Sequence, residues 1–286
     1  MPSLIDIRRR IRSVKNTQQI TKAMKMVSAA KLRRAQDRVI ASRPFGSLLR
    51  KVLGNVAAAV ASGEETVHNP LLAVRPEKRI LLVLISGDKG LAGAFNSNLI
   101  KAAQRFPSEH GGAAVKMELI GRKGRDFFRK RAADITGEHI GLAAKVVYAD
   151  IAAIARKAIE LYSNEEIDAV YMLYNEFKSV VAQKLTVRRV LPVEVPEQGS
   201  PVDYIYEQPP AEMLHALLPK YVEMEFYRAM LESAAAEHAA RMTAMDAATS
   251  NAGDMIEKLT LYMNRVRQAS ITKEIIEVVS GAAAAE

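Results

Sequence analysis

A glycine-rich turn over residues 87–93, reading Gly-Asp-Lys-Gly-Leu-Ala-Gly, is the segment of this 286-residue chain that most suggests chemistry. It follows an apolar run and precedes a helical pattern, which is the setting of phosphate-binding loops. Its spacing is G-x-x-G-x-x-G, whereas dinucleotide sites need G-x-G-x-x-G and P-loops need Gly-Lys followed by Ser or Thr. We therefore interpret it as a tight strand-to-helix turn. Lys89 in the turn could still bind an anion. A nucleotide-binding α/β enzyme with helical arms therefore stays open as an alternative function.

Other arrangements that could carry catalysis or bind a metal are weaker. The five histidines are scattered without an i, i+4 pair for zinc, and the absence of cysteine excludes thiolate ligands, disulfides and a cysteine nucleophile. Ser86-Gly87 lacks the G-x-S-x-G pattern of a nucleophile elbow. The pair Glu165-Glu166 is more typical of a solvated helix end than of acid–base catalysis. The sequence therefore predicts no catalytic residue, no metal and no cofactor.

Charge is distributed unevenly along the chain, whose net charge is +9. Residues 1–51 hold fourteen Lys and Arg against two Asp, a net charge of +12. Residues 212–286 hold seven Lys and Arg against eleven Asp and Glu, a net charge of −4. Opposite charges at the two ends suit two helices that lie side by side. The basic run over residues 8–15 also leaves a nucleic-acid binder open, although aromatic residues for stacking are missing there.

The first 62 residues carry a helical pattern, with Ser3 as the expected cap and Asp6 three residues later. Its apolar residues fall into three stripes whose members are three or four residues apart, with a register shift between stripes. The stripes are Leu4, Ile7, Ile11 and Val14, then Ile20, Met24 and Val27, then Leu32, Ala35 and Val39. Pro44 predicts a kink or an interruption before the helix ends near residue 62.

The last segment has a cleaner helical pattern, in which apolar and small residues alternate steps of four and three without a break. The positions are Leu231, Ala235, His238, Met242, Met245, Thr249, Ala252, Ile256, Leu259, Met263, Val266 and Ser270. A helix over residues 212–280 is about 100 Å long at about 1.5 Å per residue, and Pro219 predicts a kink or a new first turn. Neither terminal helix can bury its stripe alone, so we expect an antiparallel coiled coil. A helical bundle would need further long helices, which the sequence does not offer.

Residues 77–211 alternate strand and helix patterns, which indicates a small Rossmann-like α/β domain with a largely parallel sheet. Strands are predicted over 79–86, 115–120, 168–174 and 183–190, and helices up to 106 (stopped by Pro107), over 122–131 and over 149–163. No apolar run approaches the roughly 18 residues of a membrane span. The arginine-rich start belongs to a helical pattern longer than a mitochondrial presequence. The predicted fold class is therefore α+β, with a coiled-coil shaft from residues 1–62 and 212–286 and an α/β domain over 77–211.

Three parts of the chain resemble the gamma subunit of bacterial F-type ATP synthases. They are IRRRIRSVKNTQQITKAMKMVSAAK (Ile7 to Lys31), ISGDKGLAGAFNSNL (Ile85 to Leu99), and AARMTAMDAATSNAGDMI (Ala239 to Ile256) with NRVRQASITKEIIEVVSGAAA (Asn264 to Ala284). Length and segment order match as well, so the resemblance covers the whole chain. It implies a left-handed antiparallel coiled coil with the α/β domain at its foot.

The resemblance implies a non-catalytic rotor shaft, with one copy in each complex. The upper end would enter the hexamer of alpha and beta subunits, and the foot would meet epsilon and the membrane c-ring, with delta as a further subunit of the complex. Proton flow would turn ring and shaft together, which couples rotation to ATP synthesis at the beta subunits and, in reverse, to hydrolysis. The implied place is the cytoplasmic face of the bacterial inner membrane, as a peripheral protein that binds no nucleic acid and no cofactor. Ring stoichiometry, the coupling ion and inhibition by epsilon stay open.

The same resemblance assigns contacts to single residues. Contacts with loops of alpha and beta are implied for Arg267, Gln268, Thr272, Lys22, Met24, Lys25 and Arg241. An apolar bearing tip is implied for Ile271, Ile275, Ile276, Val278 and Val279. Arg267 can hold a carboxylate through two hydrogen bonds, and Gln268 can add others. The glycine turn falls in the α/β domain as a structural element. The chain lacks the cysteine-bearing insert of chloroplast forms, which excludes disulfide control.

Overall fold

The computed structural model describes residues 3–62, 69–131, 133–194 and 208–283. The helices and strands in chain order are α1 (Leu4–Ser62), β1 (Arg79–Ile85), α2 (Phe95–Glu109), β2 (Ala114–Ile120), α3 (Arg122–Phe128), β3 (Ile135–His139), α4 (Tyr148–Ser163), β4 (Ala169–Phe177), β5 (Gln183–Leu191) and α5 (Pro210–Ala283). Short 3-10 turns lie at Pro70–Leu72, Arg129–Arg131 and Leu142–Ala144. The chain forms two compact units, one of residues 1–28 with 242–286 and one of residues 29–241. The predicted boundaries at residues 62, 77 and 212 stay a prediction.

In the first unit, the beginning of α1 lies antiparallel to the last part of α5. Lys25 pairs with Asp246 at 2.5 Å, and the Thr249 hydroxyl is 2.8 Å from the Thr21 hydroxyl. One turn earlier on α1, the Gln18 amide donates to the main-chain oxygen of Thr249 at 3.3 Å. Residue numbers fall along α1 as they rise along α5, which confirms the predicted antiparallel pairing within this unit. Among its described residues, Lys25–Asp246 is the ion pair that joins the two helices.

The stripe predicted for α5 is the face that this helix buries. In the first unit its members are all buried or half-buried, whereas most residues between them are exposed. These members are Met242, Met245, Thr249, Ala252, Ile256, Leu259, Met263, Val266 and Ser270. From residue 271 to residue 280 every side chain is exposed. The alternation of four and three residues therefore located the packed face of α5 correctly, up to its end at Ser270.

On α1 the second predicted stripe is wrong at Ile20 and Val27, whereas its third member, Met24, is half-buried as expected. Ile20 and Val27 are 60% and 56% exposed, whereas Thr21 and Ser28 are buried at 8% and 3%. Together with half-buried Gln18, these polar residues continue the register of the first stripe without a shift. A search for apolar periodicity does not identify such polar residues, although Gln18 and Thr21 form hydrogen bonds with Thr249 of the facing helix. Between residues 18 and 28, α1 therefore turns Gln18, Thr21 and Ser28 inward and leaves Ile20 and Val27 exposed.

Prolines end fewer helices than predicted. Helix α1 is continuous through Pro44, so no interruption occurs there, and α2 passes through Pro107 to Glu109. Pro219 lies inside α5 rather than in its first turn, because α5 begins at Pro210. A proline removes one main-chain donor from the helix. Around Pro44, Ser42 and Ser47 donate to the carbonyl oxygens of Val39 and Pro44 at 2.8 Å each.

The second unit holds a five-stranded sheet in the order β3-β2-β1-β4-β5. The first four strands are parallel, and β5 runs antiparallel to β4. Every residue from Ile80 to Ile85 is buried, as expected for a central parallel strand covered on both faces. The sequence analysis missed β3, because Ile135–His139 (ITGEH) contains one strongly apolar residue. Long terminal helices with a largely parallel sheet between them confirm the predicted fold class.

Candidate functional site

The glycine turn over residues 87–93 connects β1 to α2, as predicted. The Gly87 N–H donates to Oδ1 of Asn96 at 2.9 Å, and Nδ2 of Asn96 donates to the Lys89 carbonyl at 3.4 Å. Leu91 has a φ of +61°, which is uncommon for a residue other than glycine, and its side chain is 63% exposed. The turn is therefore closed by its own helix and presents an apolar side chain to solvent.

Helix α5 occupies the place where a nucleotide phosphate would lie against this turn. The Arg241 guanidinium donates to the carbonyl oxygen of Gly90 at 3.3 Å and to that of Lys89 at 3.4 Å. The Glu237 carboxylate packs on Gly87 so closely that an added Cβ would lie 3.0 Å from it. Phosphate cradles direct N–H donors at their ligand, whereas this turn directs carbonyl oxygens at a cation of its own chain. This geometry supports the structural interpretation of the turn.

The loops that follow the parallel strands are tied to one another. The two carboxylate oxygens of Asp88 accept the N–H groups of Arg122 and Gly141, each at 3.0 Å. The Ser86 hydroxyl accepts the N–H of Gly124 at 2.9 Å and lies 3.0 Å from the Ile120 carbonyl. This buried hydroxyl is held by main-chain groups, which is the role of a structural serine rather than of an activated nucleophile.

A row of charged residues is buried on α5, and the sequence analysis did not identify it. Its members, Glu223, Glu225, Glu232, Glu237 and Arg241, are between 2% and 8% exposed. Glu223 accepts hydrogen bonds from the Tyr148 hydroxyl at 2.6 Å, from Arg156 at 2.8 Å and from Lys220 at 3.1 Å. Burial raises the pKa of the Glu223 carboxyl, but these three hydrogen bonds outweigh it and bring the pKa below its usual value. Burial, together with Glu223, raises the pKa of Tyr148 to about 12.

The other members of the row have partners either on other elements or on α5 itself. Glu225 accepts a hydrogen bond from Arg50 of α1 at 3.3 Å and forms an ion pair with Arg188 of β5 at 3.0 Å. Glu232 pairs with Arg228 of the same helix at 3.1 Å, and Glu237 pairs with Arg241 at 2.5 Å. A sequence signal existed for part of this row, since opposite charges four residues apart stand within an otherwise apolar, alanine-rich helix.

A second buried charge lies under the edge of the sheet. Glu118 on β2 is 1% exposed and accepts from His139 at 2.7 Å and from Lys157 at 3.0 Å. Burial raises the pKa of this carboxyl, but His139 and Lys157 together lower it by more, so that the net shift is downward. Gly137 on β3 makes room for the carboxylate, because a Cβ there would lie 2.1 Å from Oε1. The cluster fastens β3 and α4 to β2.

The predicted partner-contact residues fall into two groups. Six of them belong to the first unit, where Lys22, Arg267, Gln268 and Thr272 are exposed and Met24 and Lys25 are half-buried. Gln268 and Thr272 lie one turn apart on one face of α5, and the Thr272 hydroxyl donates to the Gln268 main-chain carbonyl at 3.0 Å. The residues predicted for the apolar tip are all exposed, from 48% at Ile271 to 72% at Val278.

Arg241 differs from the other predicted contacts. It belongs to the second unit, is 8% exposed, and bonds to Glu237 and the glycine turn. Its neighbour His238 lies 3.5 Å away, and burial, followed by the charges of Arg241 and Lys31, lowers the pKa of His238 to about 4. Arg241 is therefore buried and already bonded within the second unit, and its contact with another subunit stays a prediction.

Within the described ranges, no cluster of three or more His, Cys, Asp or Glu side chains is arranged to hold a metal ion. In the same part of the chain, no helix has a stretch apolar and long enough to pass through a membrane.

Comparison with known proteins finds matches along the whole chain. The ATP synthase family model matches residues 3–285. The ATP synthase gamma chain of Solibacter usitatus is 79% identical over 286 residues, with all of both chains covered. The gamma chain of Pelotomaculum thermopropionicum is 52% identical over 289 residues, again with full coverage of both, and that of an Anaeromyxobacter species is 50% identical with 99% coverage of both.

Solved structures give the same result for the fold. A chain from the central stalk and c-ring of the Tetrahymena thermophila mitochondrial ATP synthase is 25% identical, with a TM-score of 0.62. The match covers 80% of this chain and 99% of that one. A chain from the rotor of the Euglena gracilis mitochondrial ATP synthase is 19% identical with a TM-score of 0.66, covers 94% and 98% of the two chains, and shows the fold alone.

Proposed function

Because the chain belongs to the family of ATP synthase gamma chains, we propose that it is the central rotor shaft of a bacterial F-type ATP synthase. It couples rotation of the membrane c-ring to ATP synthesis at the beta subunits, and it works in reverse during hydrolysis. It is a non-catalytic subunit of the assembled enzyme. The single observation that carries this proposal is 79% identity to a gamma chain over the full length of both chains.

The paired helices of the first unit suit a shaft. Two helices packed along a continuous seam resist bending and twisting better than one helix does. The seam closes through apolar residues, through the Thr21–Thr249 contact and through the Lys25–Asp246 pair. A shaft can drive chemically equal sites into different states only if it interacts with those states with different free energies. Unequal contacts around the rod therefore carry the coupling.

Arg267, Gln268 and Thr272 form the proposed latch on α5 between the shaft and loops of the alpha and beta subunits. All three are exposed, and Gln268 and Thr272 lie one turn apart on the same helix face. A guanidinium binds a carboxylate through two parallel hydrogen bonds, which fixes an angle as well as a distance. Such a contact holds the rotor at one orientation and has to break before the rotor can turn.

Lys22, Met24 and Lys25 form a second proposed contact, on α1, with an acidic segment of the beta subunit. Lys22 is exposed, and the Lys25 amine is shared with Asp246. We also retain Arg241 as a proposed contact, although reaching another subunit would require it to leave Gly90 and Glu237.

The apolar tip over residues 271–279 is the proposed bearing. Its side chains are exposed at Ile271, Ile275, Ile276, Val278 and Val279. An exposed apolar patch of this kind is typical of a surface that meets an apolar partner. An apolar collar around a slim helix offers no directional bonds, so the helix can turn in it with little resistance.

The α/β domain is the proposed foot of the shaft, in contact with epsilon and the c-ring, in a complex that also contains delta. The protein reaches the membrane through the c-ring and lies on the cytoplasmic face of the bacterial inner membrane as a peripheral subunit. Each complex holds one copy.

Assembly tests the proposal directly. A tagged chain, expressed with alpha and beta subunits of the same source, is expected to bring both down as a complex with ATPase activity. Alpha and beta expressed with an unrelated coiled-coil protein carrying the same tag are the control. Recovery of the tagged chain without alpha and beta, or saturable nucleotide binding by the chain alone, would contradict the rotor assignment.

A further inference from the structure

Charged side chains of α5 connect this helix to four other elements of the second unit. Glu223 is bound by Tyr148 and Arg156 of α4, and Glu225 is bound by Arg50 of α1 and Arg188 of β5. Arg241 is bound to the glycine turn after β1. From Glu223 to Arg241 these connections extend over about 27 Å of helix at about 1.5 Å per residue.

Stability alone does not account for so many buried charges. Replacing a buried ion pair by apolar side chains of similar volume is often neutral or stabilising, because desolvation offsets the attraction between the charges. What a charge-assisted hydrogen bond adds is direction, because donor and acceptor have to meet at a fixed distance and angle. Apolar packing is non-directional, so it holds two surfaces together without fixing their register as strongly.

The contact at the glycine turn shows how register is fixed. The Arg241 guanidinium holds two adjacent carbonyl oxygens, those of Lys89 and Gly90, while its partner Glu237 fills the space above Gly87. Ser233, one turn earlier, lies with its hydroxyl 3.4 Å from the Ile85 carbonyl. A slide of α5 by one residue, about 1.5 Å, or a rotation by about 100° would break these contacts together.

We propose that four members of this buried charge row, Glu223, Glu225, Glu237 and Arg241, form the joint that passes torque between the α/β domain and the shaft helix. The proposal rests on the rotor function above and adds to it the residues that prevent slip. The glycine turn is the part of the joint held by Arg241. In this role Arg241 is a positioning residue that acts through the turn.

The test uses the complex of this chain with alpha and beta subunits and a bead attached to the α/β domain. The chain has no cysteine, so Lys101→Cys, on the exposed face of α2, gives a single attachment point. The variant is Glu237→Met with Arg241→Met, which removes the charges and keeps side-chain volume. The matched control is Arg125→Met with Asp126→Met, which removes a surface pair of 2.6 Å in the same domain. The measurements are the melting temperature of the full chain, ATP hydrolysis without the bead, and torque against bead drag.

We expect the Met pair to melt at the wild-type temperature or above, while torque on the bead falls to about half or less because the directional contacts are gone. The control keeps full torque. Full torque in the Met pair would overturn the proposal. Loss of torque together with a lowered melting temperature in the Met pair would overturn it too, since general destabilisation of the chain would then explain the lost torque.

Arg241→Lys keeps the test decisive if the Met pair does not fold. Lysine preserves the charge but lacks the planar fork that reaches two carbonyl oxygens and Glu237 at once. We expect a folded chain whose torque lies below wild type, and wild-type torque in Arg241→Lys would refute the joint. If the wild-type complex itself assembles but does not rotate, the rotor function fails rather than the joint.

Discussion

The pairing of Thr21 with Thr249 gives a sharp prediction about the shaft. Each hydroxyl also lies near a carbonyl oxygen of its own helix, that of Gln18 at 3.0 Å and that of Met245 at 2.7 Å. Replacing one threonine by valine therefore removes the bond between the helices. The remaining threonine hydroxyl can still donate to the carbonyl oxygen of its own helix. We expect Thr249→Val to lower the free energy of unfolding by about 1 kcal/mol, the usual value for one neutral hydrogen bond.

The double variant Thr21→Val with Thr249→Val should cost about 1 kcal/mol in total rather than about 2 kcal/mol, because the shared bond can be lost only once. Two facing valines also add apolar contact in the seam. Equilibrium denaturation of the wild type, both single variants and the double variant gives the coupling free energy directly.

A matched pair without contact provides the control for this cycle. The Thr260 hydroxyl bonds to the Ile256 carbonyl of its own helix at 2.7 Å, so Thr260→Val combined with Thr21→Val should be additive within about 0.5 kcal/mol. If Thr21 and Thr249 were additive as well, the two side chains would not meet, and the antiparallel register deduced here for the first unit would be refuted.

Three further predictions concern the latch and the buried charges. Arg267→Ala should reduce ATP synthesis by the assembled enzyme about tenfold, through loss of a charge-assisted contact, while the melting temperature of the full chain stays unchanged; wild-type turnover would count against the latch. Because the pKa of Glu223 is lowered in the folded chain, its ionised form stabilises the fold above the usual carboxyl pKa, and this stabilisation is lost as pH falls through the lowered folded value. Glu223→Gln should therefore flatten the loss of stability in an acid titration, and an unchanged curve would refute the effect. Gly137→Ala should destabilise the chain by about 1–3 kcal/mol, since its Cβ would meet the Glu118 carboxylate at 2.1 Å. Its control, Gly46→Ala, meets no atom within 4 Å and should stabilise α1 by about 0.5–1 kcal/mol. Equal changes in the free energy of unfolding for the two variants would contradict this geometry.

The sequence predicts the long elements well because their signals extend over many residues. The alternation of four and three along α5 identifies its buried face as far as Ser270, and the apolar run from Ile80 to Ile85 identifies the central strand. In a pattern of that length, one residue that does not fit leaves the predicted element unchanged. The helix prediction for α1 survived in the same way, although the stripe at Ile20 and Val27 faces solvent.

The features that sequence reasoning missed depend on contacts between distant residues. Glu118 stands in an ordinary strand pattern, and only folding brings His139 and Lys157 to its carboxylate. Thr21 and Ser28 look like surface residues until the facing helix is in place. Pro44 does not interrupt α1 and Pro107 does not end α2, because a proline rule describes an isolated helix and not one whose neighbouring turns are packed.

The glycine turn shows both the reach and the limit of motif analysis. The positions of its three glycines argued against a P-loop or dinucleotide site. Spacing could not reveal that Arg241, about 150 residues later in the chain, supplies the cation that the turn binds. The turn binds a cation rather than an anion because its carbonyl oxygens, and not its N–H groups, point toward α5.

Direct observation of rotation tests the central claim, that this chain is a shaft turned within a ring of partners. A marker is attached through a single introduced cysteine to the chain in a surface-fixed complex with alpha and beta subunits, and ATP is added. We predict continuous rotation of the marker in one direction that stops when ATP is removed. ATP hydrolysis by the same complex with a stationary marker would contradict the account.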